Sequence, residues 1–214
     1  MKLKSLHHPT WLLSRLASAS LFALTALKAS AALTVVVSAV PGEPYFSTST
    51  GTALPDGSYF QLGTFATAPS TSDLSQDAPT VFAQWQEFTD GADDQIFSID
   101  LTGGNAAGEV FGDDSFGGKS IYWWVFLTSD GQKPASDFSN VTEHALFTSS
   151  SPEWVFPADS ESISPVVSTA DAQISFLAGG YGSGNTTVAL AAVPEPSTLA
   201  LSALALVGCL RRRR

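Results

Sequence analysis

The chain has 214 residues, 44% of them hydrophobic and only 14% charged, with 20 carboxylates against ten lysines and arginines and a formal net charge of −10. That balance repels phosphate backbones and argues against a nucleic-acid partner. A single cysteine, Cys209, excludes an internal disulfide.

In chain order, Lys2, Lys4 and Arg15 make a basic region, residues 16–27 an apolar stretch, and Ala29-Ser30-Ala31 an A-x-A cleavage site. Together they read as a secretory signal peptide over residues 1–31, cut after Ala31 so that the mature chain begins at Ala32. Ser30-Ala31-Ala32 would serve nearly as well. The implied partners are the secretion translocon and signal peptidase. The body that remains, residues 32–193, holds only Lys119 and Lys133 against 19 carboxylates, a net charge of −17.

Short apolar or alternating segments recur along this body, separated by Gly, Pro, Ser, Thr and Asp clusters. The pattern predicts one all-β domain, an antiparallel sandwich or barrel-like fold. Strands are expected at 33–40, at 58–66 with Gly63 marking a bulge or bend, and at 95–101, where Phe97, Ile99 and Leu101 share an apolar face. Val81, Trp85 and Phe88 at i, i+4 and i+7 predict one short helix. Residues 121–127, Ile-Tyr-Trp-Trp-Val-Phe-Leu, are apolar on both faces and predict a buried central strand, with Trp123 and Trp124 pointing to opposite sides. Further strands are expected at 153–156, 163–167, 172–177 and 186–192. The glycine run 179–184 reads as a hairpin-like loop, with no helix after it to form a phosphate site.

Residues 194–214 read Pro194-Glu195-Pro196, an apolar run, then Arg211, Arg212, Arg213 and Arg214. As a helix, residues 197–210 would reach roughly 21 Å, short of the ~30 Å hydrocarbon core. The arginines would stay on the cytoplasmic side and leave the body outside. The two prolines favour an extended backbone around Glu195, in a form a processing enzyme could bind.

This arrangement resembles the PEP-CTERM sorting signal of Gram-negative bacteria. The resemblance implies recognition and removal of the tail by a membrane enzyme, exosortase, and delivery of the body to the envelope or to secreted polysaccharide. It covers about a tenth of the chain. Four segments of the body, Ser49-Thr-Gly-Thr-Ala-Leu-Pro-Asp-Gly-Ser58, Gln61-Leu-Gly-Thr-Phe65, Lys119-Ser-Ile-Tyr-Trp-Trp-Val-Phe126 and Glu153-Trp-Val-Phe-Pro157, resemble uncharacterised exported verrucomicrobial proteins with such tails, and imply no activity.

The candidate chemistry is thin. His144 is the mature body's one histidine, which rules out a His-rich zinc site; flanked by Glu143 and without a G-x-S-x-G elbow, it is expected at the surface rather than in a triad. Asp90, Asp93 and Asp94, then Asp113 and Asp114, lie in Gly-containing turns and match no calcium loop. A glycosidase needs only two carboxylates placed by the fold, so that reading stays third. The Asn140 and Asn185 sequons carry no weight in a bacterial setting. Trp154, between Pro152 and Pro157, is expected to be the most exposed tryptophan and the candidate sugar contact of a carbohydrate-binding module. No cofactor, metal or catalytic residue is expected. The leading expectation is a non-enzymatic exported protein with a structural or interaction role, sorted through its tail.

Overall fold

A computed structural model describes residues 33–39, 43–55, 58–88 and 106–193. The signal segment with Ala29, Ala31 and Ala32, the strand expected at 95–101, and the tail with its apolar run lie outside the described residues.

In chain order the elements are β1 (Leu33–Ala39), β2 (Tyr45–Ser47), β3 (Tyr59–Phe65), α1 (Thr71–Phe82), β4 (Trp85–Glu87), β5 (Ala106–Gly112) and β6 (Tyr122–Thr128). There follow β7 (Val141–Ser149), β8 (Val166–Ser168), β9 (Ile174–Ala178), β10 (Gly180–Tyr181), β11 (Thr187–Ala189) and β12 (Ala191–Ala192). The largest sheet runs β12-β7-β6-β3-β4, with β9 also paired to β7. Two three-stranded sheets, β5-β1-β8 and β10-β11-β2, complete the set, and none of the three closes on itself. The fold is therefore mostly β and sandwich-like rather than a barrel.

Strand β6 organises the layers. Because side chains alternate across a strand, Ile121, Trp123 and Val125 enter one core while Tyr122, Trp124 and Phe126 enter the other. The first core is closed by β1 (Leu33, Val35, Val37), Phe46, Val110, Val167 and Val188, all from the small sheets. The second lies under α1, which contributes Leu74, Ala78 and Val81. A strand apolar on both faces is what a sheet covered on both sides requires, and the adjacent tryptophans serve separate cores.

The helix ends where the sequence places its start. Its true stripe is Leu74, Ala78 and Val81, and Ser70 with Asp73 forms a capping box at its N-terminus. Asp77 leaves the helical region (φ −153°, ψ 67°), and its carboxylate caps the next turn by accepting from the Thr80 N–H at 3.2 Å, with Pro79 tolerated in that new first turn. Trp85, expected on the helix, pairs with Phe65 in β4 instead.

Gly63 makes no bulge. A Cβ there would lie 2.2 Å from the Gln86 carbonyl oxygen and 2.6 Å from the Trp85 ring, so the glycine lets β4 and its tryptophan close onto β3. Residues 153–156 form no ladder strand; their β-pairing is one isolated bridge, Ser120 to Val155. The 163–167 expectation shifts to β8, paired parallel to β1, and the glycine run provides β10 and its turn into β11. Strands β2, β4, β5 and β7 had no counterpart in the sequence reading.

Candidate functional site

The described chain ends at a sheet edge. Ala191 and Ala192 pair antiparallel with His144 and Glu143 of β7, and the Val193 N–H donates to the Thr142 carbonyl at 2.8 Å. Just upstream, Leu190 is buried and its N–H donates to the Ser47 carbonyl at 2.9 Å, which anchors the strand before it reaches the edge. Glu143 is clasped in turn: its two carboxylate oxygens accept from the Ser49 N–H and hydroxyl, each at 2.7 Å. Pro194-Glu195-Pro196 follow Val193 directly in sequence and lie, with Arg211 to Arg214, outside the described residues.

His144 corrects the surface expectation. It is 5% exposed, and its Nδ1 accepts from the Trp124 Nε1–H at 3.1 Å, with the Phe138 ring edge-on at 5.4 Å. Burial disfavours the charged ring and pushes its pKa down to about 4. The even-numbered register that puts Leu146 into the helix-side core puts His144 there too. Nothing in its local sequence signals this, because its partner lies on the neighbouring strand.

Trp154 corrects the sugar-contact expectation. It is 1% exposed, its ring packs 5.9 Å from that of Phe147, and its carbonyl accepts from the Ile121 N–H at 2.9 Å. The single bridge fixes the alternation: Val155 faces out, Trp154 and Phe156 face in. Flanking prolines limit the strand's length but not which face is buried. Trp123 and Trp124 are also buried, and Trp85 is half-buried against Phe65 and Trp124.

The carboxylates are mostly engaged locally. Asp113 accepts from the Ser115 N–H at 2.6 Å, which holds its pKa below the usual carboxylate value. A 310 Å³ groove beside α1 includes Asp73 and Asp77, both likewise lowered, by the Ser70 and Thr80 hydroxyls respectively. Neither has the raised pKa a general acid uses. Asp90, Asp93 and Asp94 lie outside the described residues. Among those described, no three His, Cys, Asp or Glu side chains gather to hold a metal, and no helix is long and apolar enough to cross a membrane.

The body's two lysines meet at the opposite edge of the large sheet. Lys119 Nζ donates to Gln86 Oε1 at 3.4 Å and sits 5.3 Å from the Phe116 ring centroid, while Lys133 pairs with Glu87 at 3.1 Å. Both cations thus guard β4, as edge lysines do against unwanted strand pairing. The β12 edge has no such guard in its own sequence, Ala-Ala.

Among known families, the PEP-CTERM protein-sorting motif matches residues 192–214. The match begins inside β12, so its first two residues, Ala192 and Val193, belong to the folded sheet. No curated protein and no solved structure matches the chain. The motif supports sorting of the protein to the cell envelope by a processing enzyme of the exosortase type.

Proposed function

We propose that the chain is an exported, non-enzymatic protein whose acidic β-sandwich body plays a structural or interaction role in the cell envelope or the extracellular polysaccharide matrix. Its signal peptide passes it to the translocon. Its C-terminal apolar run tethers it briefly to the membrane, with Arg211 to Arg214 on the cytoplasmic side, and the processing enzyme cuts at or near Pro194-Glu195-Pro196. The observation that carries this reading is the sorting motif at residues 192–214, fused without a spacer to the sheet. Burial of His144, its Nδ1 already occupied by Trp124, supports a role without acid–base chemistry. The −17 body suits a hydrated matrix crossed by divalent cations better than an anionic lipid surface.

The test is intact mass and location in cells that carry the processing enzyme. The expected product is found in the envelope or medium, begins near Ala32 and lacks Arg211 to Arg214. A protein that still ends in Arg214 after export, or that stays in the cytoplasm, overturns the reading.

A further inference from the structure

We propose that the folded body is part of the processing signal: β12 is a docking edge on which the membrane processing enzyme adds a strand before cutting the tail. The inference rests on the sorting reading and extends it from the tripeptide to the sheet.

Three observations carry it. Antiparallel partners alternate between hydrogen-bonded and non-hydrogen-bonded pairs. The Val193 N–H to Thr142 carbonyl bond makes Val193 and Thr142 a bonded pair, so Ala192, opposite Glu143, turns its own N–H and carbonyl away from β7. On that far side β2 ends at Ser47, which takes the Leu190 N–H; among the described residues no strand pairs with Ala192 there, and Ala192 is exposed. Such an edge is what an extended partner pairs with in β-augmentation.

The second observation is distance. Glu195 is two residues beyond Val193 and can be at most about 7 Å from it along the chain. An enzyme that grips Glu195 therefore meets the β7–β12 corner as well. The third is continuity: Ala192 and Val193 belong both to the matched motif and to the sheet, so the recognised segment and the held strand are one piece of backbone. The sheet also holds this strand extended in advance. Leu190 is seated in the core, and Glu143 is clasped by Ser49. An enzyme that binds a strand already extended avoids the ordering loss that a loose peptide imposes.

The experiment is pulse-chase conversion of the full chain in cells with the processing enzyme. Two variants are compared with the parent: an eight-residue Gly/Ser insertion between Val193 and Pro194, and Ala192→Pro. The insertion lies beyond the sheet and leaves its pairing untouched. The proline removes the outward N–H while sparing the bonds to β7, a position that edge strands tolerate. Both are expected to convert about fivefold more slowly, through loss of the short spacing between the docking edge and Glu195 in one and of the docking bond in the other. Conversion at the parental rate or faster in either variant overturns the proposal. Glu195→Ala separates the two levels: if it too converts normally, the tail is not the signal, and the sorting reading falls together with the docking edge.

Discussion

At the scale of single residues, His144 links mildly acidic pH to the stability of this body through its burial. Its folded pKa of about 4 lies below its ordinary value of 6.5, because a charged imidazole between Trp124 and Phe138 loses its hydration. A base depressed in this way is protonated first in the unfolded chain. Stability is therefore complete above pH 6.5, falls as the pH drops toward 4, and loses nothing more from this group below that. The loss amounts to about 3 kcal/mol for a shift of this size. Urea unfolding at a series of pH values should show this slope, and His144→Gln should flatten it between pH 6.5 and 4.5. The carboxylates of Asp73, Asp77, Asp113, Asp130 and Asp137, lowered by hydrogen bonds, lose their contribution only as the pH falls below their ordinary 3.8, and Glu153, lowered by Ser151, begins to lose its own below 4.5, so the slope between pH 6.5 and 4.5 belongs to His144. An unchanged slope in the variant would assign the pH dependence elsewhere.

At the scale of elements, what was legible in the sequence was whatever depends on local alternation or on a continuous apolar run. Strands β1, β3 and β6 announce themselves in this way, and the division of Trp123 from Trp124 follows from β6 alone. Strand β7 stayed hidden because polar Glu143 and His144 interrupt its apolar run, and both are satisfied by residues remote in sequence, Ser49 and Trp124. The helix was displaced because its weak stripe contains Ala78 and a proline, whereas the bulkier Val81, Trp85 and Phe88 mimic the same spacing across a helix end and a strand. Trp154 was misplaced for a related reason: which face of a short segment is buried depends on the bridge to Ser120, which local sequence does not reveal. Gly63 shows what such contacts demand. Gly63→Ala would set a methyl group against the backbone oxygen of Gln86, so β4 must separate from β3. The expected destabilisation is about 2–3 kcal/mol, read as a lower urea midpoint with an unchanged denaturant slope. A variant as stable as the parent would mean that β4 moves away without loss.

At the scale of the whole molecule, charge dominates. A body of net charge −17 without a disulfide must hold together against its own repulsion, which salt screens. Raising sodium chloride from roughly 20 mM to roughly 500 mM should lift the melting temperature by about 2–4 °C. A melting temperature insensitive to salt would mean that the carboxylates lie too far apart in the fold to repel one another. The sorting tail was legible from end to end because its signal is compositional. Its junction with the body was not, since the pairing of β12 with β7 joins residues almost 50 positions apart along the chain.

The placing of both lysines at β4 reaches beyond the guarding of an edge. Enzymes that cleave after basic residues find only two positions in the exported body, and Lys133 precedes Pro134, a bond they do not cut. The remaining bond, Lys119 to Ser120, lies in backbone held by the Phe156 N–H to the Lys119 carbonyl and by the Ser120–Val155 bridge, while the lysine side chain itself is engaged with Gln86 and Phe116. If the proposed processing removes its two basic termini, the body would offer trypsin-like proteases a single target, held in hydrogen-bonded backbone, which would slow its loss to such enzymes.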